Sequence, residues 1–514
     1  MGFSYCHRFQ LTGECGDSVN LSRIKTDLMK IALIDVKLFS LAAGMLLSIL
    51  TTNAQVQVGA DINGDSTYDA LGFSVSMPDA YTLAVGAVFT QNTQGYVKVY
   101  TFNGAAWIQK GVDIDGEAAG DWSGVCVSMP DSNTIAIGAN QNDGGGFQAG
   151  HVRVYTWSGT TWLQKGVDID GEAVQDHSGW DISMPDANTV AIGAYMNGGN
   201  GWRAGHVRVY TWSGTAWVQK GVDIDGEAAG DASGISVSMP DANTLAIGAT
   251  TNSVGGIDAG HVRVYTWNGT AWVQKGVDID GEAAGDASGW DVSMPDSNTL
   301  AIAGRLNYGG GIGAGHVRIY NWSGSAWVQK GADIDGAAGD YSGWSVSMPD
   351  ANTLAVGAPF HSDTGHVRVY MWSGTAWIQK GVDIDGEAAE NLFGFSVSMA
   401  DANTLAIGAP WNDGGGIDAG HVRVYTFTAF DVSENSLSSL LKLYPNPTSN
   451  ILNVEVGSEY LNSAYSIFEN TGRVVLTGTL HSEVTSIQLG DLSSGVYTIS
   501  VGDCIRQIFK VSRG

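Results

Sequence analysis

The chain has 514 residues, with 52 Asp and Glu against 25 Lys and Arg and a formal net charge of −27. That balance disfavours a nucleic-acid or anionic-lipid partner, because phosphate contacts need clustered Lys and Arg, and it suits a soluble exported protein. Four cysteines supply no disulfide framework, so packing must provide stability, while 71 glycines suit many tight turns at regular spacing.

Residues 1–28 show no apolar period and hold Cys6 and Cys15; they read as a non-native extension, with Met29 as an alternative start. Lys30 and Lys37 then precede the apolar run Leu38 to Leu50 and the segment Thr51-Thr52-Asn53-Ala54-Gln55. This is the pattern of a Sec-type signal peptide over residues 29–55, cleaved near Ala54 or Gln55. A membrane anchor is the rival, but the run is shorter than the ~20 residues a span needs.

From residue 56 to residue 427 one phrase recurs seven times. Its Ser-Met landmark falls at Met77, Met129, Met184, Met239, Met294, Met348 and Met399, spacings of 52, 55, 55, 55, 54 and 51 residues. Such a period is one supersecondary unit, too small to fold alone. In the copy beginning near Ser236, Ser236 to Met239 and Thr244 to Ala249 are β-type runs joined by Pro-Asp-Ala-Asn. His261 to Trp267 alternates and meets a return strand from Trp272 across Asn268-Gly269, a strong hairpin signal. Trp267 and Trp272 flank that turn as a cross-strand pair.

The two ends of the repeat region complement each other. Gln57-Val58-Gly59-Ala60-Asp61-Ile62 matches the fourth strand, as at Gln219 to Ile224, yet stands before any first strand, and the last copy lacks that strand after Phe427. The surplus fits the deficit, which closes a ring. The fold predicted is therefore all-β: a seven-bladed propeller of four-stranded blades closed by the N-terminal strand, plus a small C-terminal β-sandwich.

In this architecture the 2-to-3 loops and the interblade links share one face of the disc. The loops there carry single large aromatics, Phe147, Trp202, Tyr308, Phe360 and Trp411, candidates for a ligand face; their bland role is to cap blade edges. The links carry Asp113-Ile114-Asp115-Gly116-Glu117 with Asp121 and copies. Asp113, Asp115 and Asp121 are weak calcium candidates, weakened further by a glycine at the fourth position and by copies that lose ligands at Ala337 and Glu390. The His-Val-Arg histidines recur with the repeat and read as architectural. His177, His361, Arg203 and Arg305 do not recur, but nothing in the sequence brings them together. No nucleophile elbow, phosphate loop or zinc motif is present, so the expectation is no enzyme and no cofactor.

Leu71-Gly72-Phe73-Ser74-Val75-Ser76, Phe393-Gly394-Phe395-Ser396-Val397-Ser398 and Gly357-Ala358-Pro359 followed by Gly365-His366-Val367-Arg368-Val369-Tyr370 resemble FG-GAP repeats, as in integrin alpha subunits. The resemblance implies a propeller; its family's calcium cage would lie in the 1-to-2 turn, here the short Asp241-Ala242-Asn243. Beyond a Ser-rich linker at 428–441, residues 442–514 form a different unit. Tyr444-Pro445-Asn446-Pro447, then Gly472, then Gly495 and Tyr497 resemble the C-terminal sorting domain of type IX secretion cargo. That likeness implies a Bacteroidetes-type cell, recognition by the secretion translocon and sorting protease, and an extracellular or cell-surface destination. The reading is an exported binding or adhesion protein, monomeric, with a glycan or protein ligand; the alternative is an extracellular polysaccharide-degrading enzyme on the same ring.

Overall fold

The computed structural model describes residues 54–90, 92–428, 441–457, 460–469, 473–490, 492–501 and 505–511. The signal-peptide reading of residues 29–55 lies almost wholly outside them, as do most of the linker and Gly472. Seven of the sheets follow one plan, with strands in spatial order first to fourth. The first strands are Leu71–Asp79, Val127–Asp131, Asp181–Asp186, Ser233–Asp241, Ser288–Asp296, Ser345–Asp350 and Ser396–Asp401. Each packs on the next, and the last packs on the first, so the blades close a ring around one channel.

The second strands explain why this sequence must stack. Thr244–Ala249 reads Thr-Leu-Ala-Ile-Gly-Ala, and here as in the other six copies every residue is buried, because adjacent blades cover both faces of each sheet. Between the third and fourth blades, Val207, Val209 and Ile224 meet Val237, Met239, Leu245 and Ile247; burying each such side chain stabilises the ring by roughly 1.5–3 kcal/mol. Close approach is enforced at Gly248, where a Cβ would stand 2.1 Å from the Gly289 carbonyl oxygen.

Two hydrogen-bonded belts join the blades. Pro240 has no amide proton for the ladder, and the pairing of Ser233–Asp241 with Thr244–Ala249 shifts register between Ser238 and Asp241, a bulge. The adjacent Met239 amide donates to the Ser183 hydroxyl of the preceding blade at 2.9 Å. All seven Met amides of the landmark do the same, through to Met77 on Ser398. Further out, Lys220 lies over Trp267 and Trp272 of the next blade, with Nζ 5.2 and 5.1 Å from the ring centroids, and donates to Asn243 Oδ1 at 2.8 Å. Trp272 Nε1 returns a bond to the Lys220 carbonyl at 2.8 Å.

This outer belt accounts for a departure from the expected fourth strand. Instead of one continuous strand, Trp217–Gln219 and Ile224–Asp225 pair separately with His206–Trp212. The chain between them turns away so that Lys220 can reach the next blade, and Gly221, at φ +87°, leaves room for the Trp267 ring.

Ring closure follows the predicted plan. Ala54–Gln57 pairs antiparallel with Tyr425 to Thr428, and Ile62–Asn63 pairs with His421 and Val422, completing the last blade. Gln55 stands where the other copies have tryptophan, and its amide donates to the Val382 carbonyl. In the C-terminal unit, a three-stranded sheet (Leu441–Tyr444, Ile451–Val456, Val484–Gln488) and a four-stranded sheet (Val474–Thr479, Ala464–Glu469, Gly495–Val501, Ile505–Val511) share a core of Leu452, Val454, Ile467, Ile487 and Ile499.

Candidate functional site

The first strands begin on the face that carries the links and the 2-to-3 loops, as bridges such as Gly260 to Ser288 show. At that end they enclose a cavity of about 450 Å³, lined by residues from all seven blades. The residue after the glycine that opens each first strand is Phe73, Val125, Trp180, Ile235, Trp290, Trp344 or Phe395, and the next is Ser74, Cys126, Asp181, Ser236, Asp291, Ser345 or Ser396. Two positions of an otherwise uniform repeat thus diverge where the strands converge.

The aromatic members form a collar over four successive blades, the fifth, sixth, seventh and first. Trp290 packs on Trp344 (centroids 5.3 Å apart), Trp344 on Phe395 (5.4 Å), Phe395 on Phe73 (4.9 Å) and Phe73 on Phe89 (5.9 Å). Trp180 stands with Tyr195 at 5.1 Å. Arg305 leaves the second strand of its blade and lays its guanidinium 3.5 Å from the Trp290 centroid and 4.7 Å from that of Trp344. Burial brings its pKa down to about 10, so it is a cation at neutral pH, and its Nε has no hydrogen-bond partner.

Two carboxylates line the same cavity. Asp181 Oδ2 accepts from the Val237 amide at 2.7 Å, while Oδ1 accepts from the Ile182 amide at 3.0 Å and the Cys126 thiol at 3.1 Å. Asp291 repeats the arrangement with Val346 at 2.7 Å and Val292 at 2.8 Å. Burial pushes Asp181 up to about 6; burial and the Asp181 charge push Asp291 up to about 7. Burial and Asp181 likewise raise the Cys126 thiol. The mouth therefore offers stacking surfaces and acceptors, with one cation held against two of its tryptophans.

The residues singled out from sequence divide. Trp411 packs on Phe395 at 5.4 Å and Phe360 on Trp344 at 5.3 Å, so both extend the collar. Phe147 lines a separate cavity of about 410 Å³ with Glu117 and Gln148, and Trp202 and Tyr308 are exposed on their own loops. Of the non-repeated polar residues, Arg305 stacks on the mouth's Trp290 and Trp344; His177 packs beside Tyr195 at 5.9 Å, and Arg203 lies over Trp202 at 5.3 Å. His361 takes the place held by Asn142 in another blade, bonding Asp340 at 2.9 Å as Asn142 bonds Asp121. Sequence reasoning missed Trp180, Asp181, Trp290, Asp291 and Trp344; their departure from the other copies at one fixed register was the available signal.

The calcium candidates take part in hydrogen bonds of the links and strands, Asp115 through its main-chain carbonyl. Asp113 accepts from Gln109 at 2.6 Å, Asp121 from the amides of Glu117 and Ala118 and from Asn142, and the Asp115 carbonyl from Arg153 at 2.7 Å. The 1-to-2 turn does not fit the integrin-type cage either. Asp241 accepts from the Asn243 amide and the Thr244 hydroxyl, and the Lys220 ammonium occupies the turn.

Residues 328–371 and 379–427 match the FG-GAP repeat, and residues 442–510 match the secretion system C-terminal sorting domain. The two FG-GAP matches fall on the sixth and seventh blades, and the sorting-domain match falls on the C-terminal unit. No curated protein matches it. Among solved structures, the periplasmic gluconolactonase of Pseudomonas aeruginosa is similar at 14% identity and a TM-score of 0.46, over 84% of this chain and 99% of that one. The β-propeller domain of the Trilobed protease from Pyrococcus furiosus is similar at 9% identity and a TM-score of 0.39, over 66% and 90%. The sorting tail implies engagement of the type IX machinery and export to the cell surface or the extracellular space. In that tail Tyr444 is exposed and the Tyr497 hydroxyl donates to the Ser493 carbonyl at 2.9 Å; no helix among the described residues is long and apolar enough to cross a membrane.

Proposed function

We propose that this exported FG-GAP propeller is a non-catalytic binding module that takes a small saccharide in the mouth of its channel. The observation that carries the reading is the convergence of the non-repeated aromatics, Asp181 and Asp291 on one cavity, with Arg305 stacked on two of its tryptophans. Indole and phenyl faces stack on the apolar faces of sugar rings, the carboxylates and guanidinium bond hydroxyls, and the volume lies in the ordinary range of ligand pockets.

A hydrolytic reading draws on the same carboxylates, since glycoside hydrolysis uses a pair of them with separated protonation states. Against it, all four carboxylate oxygens already accept backbone amides, which suits holding the wall in place more than proton transfer. A glycan array with the mature chain, repeated with Trp344→Ala, tests the proposal beside a reducing-sugar assay on the same glycans. The expected result is at least about a tenfold loss of affinity in the variant and no sugar release. Binding unchanged by Trp344→Ala removes the mouth as the site, and release of reducing ends that Asp291→Ser abolishes replaces binding with catalysis.

A further inference from the structure

On the rim side of the links, the second to fifth blades repeat an arrangement that the channel site does not use. His151 is 1% exposed, and its Nδ1 faces Glu117 Oε2 at 3.9 Å and Asp168 Oδ2 at 3.7 Å. The same trio surrounds His206, His261 and His316 at 3.7 to 4.0 Å. Both ring nitrogens of His151, His261 and His316, and Nε2 of His206, lack any hydrogen-bond partner. A buried imidazole left so is costly, and here it points at two carboxylates.

The other three blades show what balances such carboxylates. In the first blade Tyr96 replaces the histidine, and Lys98 pairs with Asp65 and approaches Asp113 at 4.0 Å. In the sixth, Ala337 replaces the glutamate, and Arg368 grips Asp383 through Nε at 3.0 Å and Nη2 at 2.8 Å. In the seventh, Arg423 holds both Asp61 and Glu387. In the second to fifth blades the arginine turns instead to a backbone carbonyl, as Arg153 does to that of Asp115 at 2.7 Å, with only a looser approach to the glutamate, 3.7 Å for Arg153 to Glu117. The acids there are compensated less closely than in the other three blades, where the cation reaches its carboxylate at 2.8 Å in the sixth and seventh.

We propose that each of these four blades holds a divalent metal ion of the zinc class between the imidazole, the link glutamate and the outer-strand aspartate. Imidazole nitrogen with two carboxylate oxygens suits zinc more than calcium, which takes oxygen ligands. Ligand atoms on a tetrahedral zinc lie about 3.4 Å apart; the imidazole stands 3.7 to 4.0 Å from each carboxylate and the three ligand atoms lie within 4.8 Å of one another, so both carboxylates close in on the ion, with solvent as the fourth ligand. The ion ties each link to the outer strands of the blade it enters.

The test uses untagged mature chain stripped with chelator, dialysed against micromolar zinc chloride and measured by mass spectrometry of the metal. About four zinc per chain are expected, one for each of the four trios, with a raised unfolding midpoint. His261→Ala loses one equivalent. Glu227→Gln, at an exposed position that spares the core, weakens one site about tenfold, while Lys98→Met, outside the four trios, leaves the stoichiometry unchanged. Less than one zinc per chain, a stoichiometry indifferent to both His261→Ala and Glu227→Gln, or a midpoint that responds to calcium and not to zinc overturns the assignment.

Discussion

The two ends of the first strands obey different rules. At one end the Ser-Met belt is complete, seven bonds of 2.9 to 3.0 Å with no substitution of the serine or the methionine. At the other end, a few residues away on the same strands, tryptophan, phenylalanine, valine and isoleucine alternate with serine, cysteine and aspartate. Uniformity marks where every blade must meet its neighbour in the same way. Divergence marks where the seven strands face one another across a shared space, and there only the sum of the seven side chains has to fit.

The ring itself gives the largest effect. A chain beginning at Gly64 lacks the strand that completes the last blade, exposes the edge of His421–Thr428 and is expected to lose on the order of 5 kcal/mol or more, with aggregation; thermal unfolding against a chain beginning at Gln55 measures it. Equal midpoints would mean that the uniform half of the comparison does not depend on closure.

A pH series sharpens the divergent half. Asp291 has a folded pKa of about 7, above the ordinary carboxylate value of 3.8. Below both values the group is protonated in both states and carries no penalty. As pH rises from about 4 to 7, ionisation favours the unfolded chain, so stability falls across that window. Asp291→Ser restores the residue found at the same register in Ser236 and Ser345. It should flatten the profile, gaining on the order of 2 kcal/mol relative to the wild type between pH 4 and pH 8. Parallel profiles for the two proteins would contradict the raised carboxyl.

The belt is tested by Ser183→Ala, which leaves the Met239 amide without its acceptor and should cost about 1–2 kcal/mol. Ser213→Ala, in an exposed turn, serves as the control and should fall within about 0.5 kcal/mol of wild type. The smallest effect on folding belongs to the tail. A chain ending at Asp431 is expected to melt within about 1 °C of the mature protein, since domain boundaries fall in polar linkers, yet to accumulate in the periplasm of its native host. Surface display of the truncated chain at the intact level would remove the sorting role of the tail.

Periodicity alone determined the blade count, the strand plan and the direction of closure. A period near 55 residues with hairpin chemistry at fixed offsets leaves few solutions, and the surplus strand at one end with the deficit at the other selects a ring. The sorting tail was likewise legible, because its motifs follow one another along the chain. Lys220 was visible as part of a phrase, but its docking on Asn243 of the next blade was not, because the partners meet through a register that only the folded ring sets. The candidate site was hidden for the same reason in stronger form. Trp180, Asp181, Trp290, Asp291 and Trp344 lie up to 164 residues apart and differ from their counterparts one or two at a time, so each looks like local variation. Only closure of the ring turns equivalent positions on successive strands into neighbours around one axis, and only the enclosure of that axis shifts the two carboxylates and sets Arg305 between its tryptophans.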